Sequence, residues 1–114
     1  MTLRDARIKF TLFISLLIQE MSRHGYQPAL GEGMDRRTEK DPTTDHMKNS
    51  LHELGLAQDI DLYNAYGEYL VNSSDHKQFG EFWEGLHPYC KWGGHFSDGN
   101  HYSFADPQLV GNRK

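Results

Sequence analysis

His52 and Asp59 stand seven residues apart in this chain, and Asp98 and His101 stand three apart. Two imidazoles and one carboxylate form a donor set for a catalytic zinc, with the fourth position left to water. The second carboxylate then remains to handle protons. Geometry restricts how the first pair can meet. If residues 50–59 formed one helix, His52 and Asp59 would lie roughly 10.5 Å apart along its axis, too far to share an ion. The chain must bend between them, and Gly55 suits that bend.

Beyond Gly55, Leu56, Ile60 and Leu62 alternate with Ala57, Asp59 and Asp61. This pattern predicts a half-buried strand over about 56–63, apolar on one face and carboxylate-bearing on the other. Ala57 shares the face of Asp59 and is small, which leaves room for a metal and a substrate. At the other end of the chain, Gly93, Gly94 and Gly99 make a turn-rich segment in which Asp98 and His101 can converge on the same place.

The remaining elements must position these groups. Ile8, Leu12, Phe13, Leu16, Leu17 and Met21 predict a core helix over about 4–23, ended by Gly25. Residues 26–32 read as a short strand running into a turn at Gly31 and Gly33. Residues 34–49 are polar and broken by Pro42, and read as an irregular loop. Strands over about 56–63 and 68–71 read as a hairpin around residues 64–67. Asp75 and Gln78 have the spacing of a capping box. Phe79, Phe82, Trp83 and Leu86 then share one helix face and are read as core. Pro88 ends that helix, residues 89–92 read as a strand, and the chain beyond Pro107 reads as a frayed polar tail. The expected fold is α+β: a small antiparallel sheet with helices packed on one side, and a zinc cleft on the open face.

Length and composition bound the function. The 114 residues suffice for one domain, 1–114, with a single core. The formal charge of −4 gives no reason to expect nucleic acid or an anionic membrane as partner. Cys90 is the sole cysteine, so no intrachain disulfide is possible, and in its apolar context it reads as a buried inert thiol. Of the seven histidines, His24, His46, His76 and His87 match no ligand spacing and are read as surface residues. The apolar run Phe10–Ile18 follows Arg4, Arg7 and Lys9, as in a secretion signal. It is too short to span a bilayer, and no small-residue cleavage site follows it. No stable membrane insertion is expected, and the chain is read as a monomer.

The pattern Ser50-x-His52-x-x-Gly55-x-Ala57-x-Asp59, followed by Asp98-x-x-His101, resembles the zinc peptidases of bacterial cell-wall metabolism. That family includes D-alanyl-D-alanine carboxypeptidases and the L-alanyl-D-glutamate endopeptidases used as phage endolysins. The likeness is closest to the small phage-type members. It runs through Asn49-Ser-Leu-His52, Phe79-Gly-Glu-Phe-Trp-Glu-Gly85, Trp92-Gly-Gly94 and Asp98-Gly-Asn-His-Tyr102, and is loose before Asn49.

The resemblance implies zinc held by His52, Asp59 and His101. It gives Asp98 the role of general base on the zinc-bound water, then of acid to the leaving amine. It places Ser50 beside the ligands as a hydrogen-bonding support. It also implies an arginine on a substrate carboxylate or carbonyl, which is Arg37 here, with Arg36 as the alternative. His95 departs from the phage-type pattern, which often has Arg at this place; it either polarises the scissile carbonyl or sits at the rim. The implied substrate is the peptidoglycan stem peptide. Asp98, where carboxypeptidase members usually carry Glu, favours the L-alanyl-D-glutamate bond. The alternatives are a D-alanyl-D-alanine carboxypeptidase, a non-catalytic wall-binding module of the same fold, or a secreted or tethered host enzyme. An endolysin would be made in the host cytoplasm without a signal peptide and would act on the wall after release.

Overall fold

The computed structural model describes residues 1–31 and 51–110. Arg36, Arg37, His46, Ser50 and the expected loop 34–49 therefore lie outside the described residues. The first element, α1 (Leu3–Arg23), opens where the Thr2 hydroxyl accepts the Asp5 N–H at 3.1 Å. It closes at Gly25, whose φ of +88° carries the chain out of the helix. The Gly25 N–H reaches the Ser22 carbonyl and the Tyr26 N–H the Met21 carbonyl, the two bonds of a Schellman motif.

The sheet is antiparallel, with strand order β1-β2-β4-β3: β1 (Gln27–Leu30), β2 (Ala57–Tyr63), β3 (Cys90–Trp92) and β4 (His101–Phe104). A 3₁₀ helix, Ser73–His76, leads into α2 (Lys77–Leu86), and a second 3₁₀ helix, Gly93–Phe96, joins β3 to the turn before β4. The chain is thus α+β, with α1 and α2 packed against one face of the sheet. Leu56, Ile60, Leu62, Tyr102 and Phe104 turn to that face and are fully buried. Trp83 of α2 lies edge-on to Phe10, Phe13 and Tyr102. Its indole N–H points at the carbonyls of Lys91 and Ser103, both at 3.0 Å, and so ties α2 to β3 and β4.

Several local expectations need correction. On α1, Phe13, Leu17 and Met21 turn inward as expected, but Ala6 and Phe10 complete the buried row with Ile14 and Ile18 packed beside it, whereas Ile8, Leu12 and Leu16 are exposed. The helix carries two apolar rows. The inward one bears the two phenylalanines that meet Trp83, and Ala6, whose size allows close approach. The expected strand over 68–71 is reduced to a single bridge, Tyr63 to Tyr69. Here the Asn64 side chain accepts the N–H groups of Tyr66, in the turn, and of Glu68, at the start of the expected strand.

The capping box also sits three residues earlier than expected: Asp75 reaches back to the Asn72 N–H at 3.1 Å instead of opening a helix itself. His76 is buried, and His87 is half-buried among Phe13, Tyr89 and Phe104, so neither is a surface residue. In place of the expected frayed tail, residues 107–110 form a short helix, α3 (Pro107–Val110), capped by the buried Asp106 carboxylate, which accepts the Gln108 N–H. No helix among the described residues is long and apolar enough to cross a membrane.

Candidate metal centre

Strand alternation sets the site. With Leu56, Ile60 and Leu62 turned toward the helices, Ala57, Asp59 and Asp61 take the opposite face. On β4, Tyr102 and Phe104 meet Trp83 and Phe13, so His101 and Ser103 also turn away from the helices. The β2–β4 register places Asp59 directly across from His101 and Ala57 across from Ser103. Side chains so paired on one face are within reach of each other. Two of the three donors are therefore brought together by register alone.

The third arrives on a helical turn. The Leu54 N–H bonds to the Leu51 carbonyl, the Gly55 N–H to His52, and the Leu56 N–H to Leu51. Gly55 takes φ +72°, and the buried Leu51 and Leu56 meet the demand of such a motif for an apolar contact across its end. This is the same device that ends α1, and it is the bend expected at Gly55. It sets His52 on the turn just before β2, within reach of the strand face that follows.

The donor atoms form a nearly equilateral triangle. His52 Nε2 lies 3.3 Å from His101 Nδ1 and 3.4 Å from Asp59 Oδ1, and His101 Nδ1 lies 3.3 Å from Asp59 Oδ1. A zinc ion at roughly 2.0–2.1 Å from tetrahedral ligands holds them about 3.3–3.4 Å apart, so the residues fit such an ion. The same edges suit hydrogen bonds less well. They exceed the mode of about 2.9 Å, and each atom points at both others, although a ring nitrogen carries one proton at most. Among the described residues, His52, Asp59 and His101 are the group that could hold a metal ion.

Electrostatics agree with the geometry. Burial, the largest influence, acts to raise the Asp59 pKa, but hydrogen bonds from His101 and His52 and their charge outweigh it. The carboxyl is held well below the usual range and is ionised at neutral pH.

The Asp98–His101 turn is fixed on several sides. The His101 N–H bonds to the Asp98 carbonyl at 3.1 Å, and the Asp98 N–H to the Gly93 carbonyl at 3.0 Å. The Trp92 indole donates to the Gly99 carbonyl at 2.7 Å, and the Ile60 N–H to the Asn100 carbonyl at 2.8 Å. A Cβ at Gly93 would lie 2.3 Å from the Asp98 carbonyl oxygen, so the close approach there requires glycine. Asp98 itself is exposed, three residues before a donor and open to solvent.

His95 is held by two contacts: Nε2 pairs with Glu84 Oε1 at 3.0 Å, and the ring packs edge-on to Trp92. Glu84 in turn accepts the Trp92 N–H, so His95 belongs to the junction of α2 and β3. Cys90 is buried, and burial, with Glu84 nearby, pushes its thiol up to about 12, in keeping with an inert thiol.

Two residues around this turn escape the reading of the sequence. Ser73 Oγ accepts the Gly99 N–H at 2.9 Å, and His76 Nδ1 lies 2.8 Å from the Tyr102 hydroxyl. Burial lowers His76 to about 4 against a smaller opposing effect of Asp75, so the ring is neutral near pH 7. Burial also raises the Tyr102 pKa, so its hydroxyl keeps its proton. The spacing Ser73-x-x-His76 against Gly99-x-x-Tyr102 was the only available signal.

Neither a family model nor a curated protein matches this chain.

Proposed function

We propose that the protein is a zinc-dependent peptidase of the bacterial cell wall that hydrolyses the L-alanyl-D-glutamate bond of peptidoglycan stem peptides. The observation that carries this reading is the donor triangle, with sides of 3.3–3.4 Å, formed by two imidazoles and a carboxylate at the sheet face turned away from the helices. His52, Asp59 and His101 would hold the ion. Zinc, when bound, would polarise the scissile carbonyl and make water acidic enough to ionise near neutrality. Asp98, exposed on the same turn as His101, takes a proton from the attacking water and returns it to the leaving amine. Ala57, opposite Ser103, keeps bulk away from the strand face beside Asp59. The choice of bond rests on Asp98, since carboxypeptidases of the resembled family usually carry Glu there.

The test is digestion of purified peptidoglycan with the zinc-loaded chain, followed by identification of new termini by mass spectrometry. The expected product is a stem peptide with a free D-glutamate amine. Asp98→Asn keeps the shape but cannot take a proton, so turnover should fall roughly 10²-fold or more with zinc retained. Release of D-alanine with the L-alanyl-D-glutamate bond intact would identify a carboxypeptidase instead. Zinc binding without any cleavage would leave a binding module.

A further inference from the structure

A 3₁₀ helix has three residues per turn, so side chains at i and i+3 stack on one face. Ser73 and His76 are such a pair in the 3₁₀ helix before α2. Gly99 and Tyr102 are likewise three apart, and they bracket Asn100 and His101. The two pairs meet rung against rung, Ser73 Oγ to the Gly99 N–H at 2.9 Å and His76 Nδ1 to the Tyr102 hydroxyl at 2.8 Å.

The first rung is close-packed: a Cβ at Gly99 would lie 2.4 Å from the Ser73 Cα, so glycine is what lets the two backbones approach. The second is buried, with His76 at 3% exposure and Tyr102 at 0%. The 3₁₀ helix is itself braced by the Asn72 N–H to Asp75 carboxylate bond, and it runs directly into α2, which is rooted in the core by Trp83.

We infer that Ser73 and His76 are positioning residues of the metal centre, fixing the turn that carries His101 and Asp98 without themselves touching ion or substrate. The inference rests on the metal centre proposed above. Hydrogen bonds behind a metal's ligands set how well those ligands are oriented, and their loss changes metal affinity by about 10–100-fold. Here the bonds act through backbone and a neighbouring side chain: one rung precedes His101 by two residues and the other follows it by one. Trp92 and Ile60 hold the turn from its other sides, so losing a rung should loosen the turn and leave the fold in place.

Ser73→Ala and Tyr102→Phe each remove one oxygen from a rung. Zinc affinity is measured by competition with a chromophoric chelator, site geometry by the absorption bands of the cobalt(II)-loaded chain, and stability by thermal unfolding of the metal-free chain. Asn64→Ala serves as the control, because it deletes acceptor bonds of similar length in the turn after β2.

The expected result is an about 10-fold loss of zinc affinity in each rung variant, approaching 10²-fold in the double variant, with altered cobalt bands. Asn64→Ala should lower the melting temperature while keeping wild-type affinity and bands. Wild-type affinity and bands in Ser73→Ala overturn the inference, even should Tyr102→Phe not fold. An equal affinity loss in Asn64→Ala overturns it too, by reducing the effect to global stability. A wild-type chain that binds no zinc removes the metal centre and the positioning role together. A chain that binds zinc but leaves peptidoglycan intact removes only the peptidase reading, and the affinity comparison still decides the role of the two rungs.

Discussion

Neighbouring residues on β2 and β4 answer to opposite demands. On the helix-covered face, Leu56, Ile60, Leu62, Tyr102 and Phe104 are fully buried in one core with Trp83. On the other face, Asp59 and His101 stand opposite each other in register, with Ala57 and Ser103 paired beside them, and the donors converge there. The first face gains from every apolar contact. The second holds an ionised carboxylate and two imidazoles close together, an arrangement that costs desolvation unless each group is compensated. The helix-covered face thus supplies the stability and rigidity that let the opposite face hold three polar atoms in one place. One backbone serves both, because alternation along the strands assigns successive residues to different tasks.

The contrast breaks most completely if the donors are removed. In a His52→Ala, His101→Ala double variant, zinc binding should be abolished while the far-ultraviolet circular dichroism of the metal-free chain stays unchanged. Elemental analysis after zinc loading and dialysis reads the first part. Full zinc retention would mean that the triangle is not the metal centre. Unfolding of the variant would mean that the donor-bearing face also carries the fold.

The complementary change strikes the covered face. Trp83→Ala removes an indole in contact with Phe10, Phe13 and Tyr102, together with its hydrogen bonds to β3 and β4. Truncations of this kind cost about 3–5 kcal/mol, a large part of the stability of a domain of this size. Urea denaturation should show that loss, and excess zinc should recover part of it by binding only the folded chain. A change below about 1 kcal/mol would show that the covered face does not bear the stability assigned to it.

Much of this division was legible in the sequence because it is written in short periods. The alternation of Leu56, Ile60 and Leu62 with Asp59 and Asp61 fixed both faces of β2, and Gly55 marked the bend that admits His52. The pairing of Asp59 with His101 was not contained in either segment, since register between distant strands depends on the whole sheet. The α1 face is legible in part for a related reason. Phe13, Leu17 and Met21 turn inward as the spacing predicts, but Ile8, Leu12 and Leu16 extend as good a helical row as Ala6 and Phe10, and the position of Trp83, edge-on to Phe10, favours the latter. His76 was misread because a lone histidine carries no local sign of burial; the Tyr102 hydroxyl that receives it lies 26 residues away.

His76 also gives the smallest of the expected effects and the sharpest view of what the covered face requires. Burial holds its pKa at about 4, below the ordinary 6.5, although Asp75 acts weakly in the other direction. In the unfolded chain the ring is protonated below about 6.5. Between these two values the unfolded state holds the extra proton, so stability rises with pH through the window and is lost as pH falls from about 6.5 to 4. Outside the window this residue adds no slope. The ionised Asp59 acts lower: its pKa is depressed from 3.8, so its contribution is lost only as pH falls below that value. Tyr102, the other group facing His76, stays protonated throughout. Urea unfolding of the metal-free chain at half-unit steps from pH 7 to 4 should show the effect as an excess slope over His76→Gln, approaching about 1.4 kcal/mol per pH unit. Taking the difference cancels every contribution that the two chains share. Parallel curves would mean that the ring reaches solvent when protonated, and that the His76–Tyr102 rung opens at acid pH at little cost to the fold.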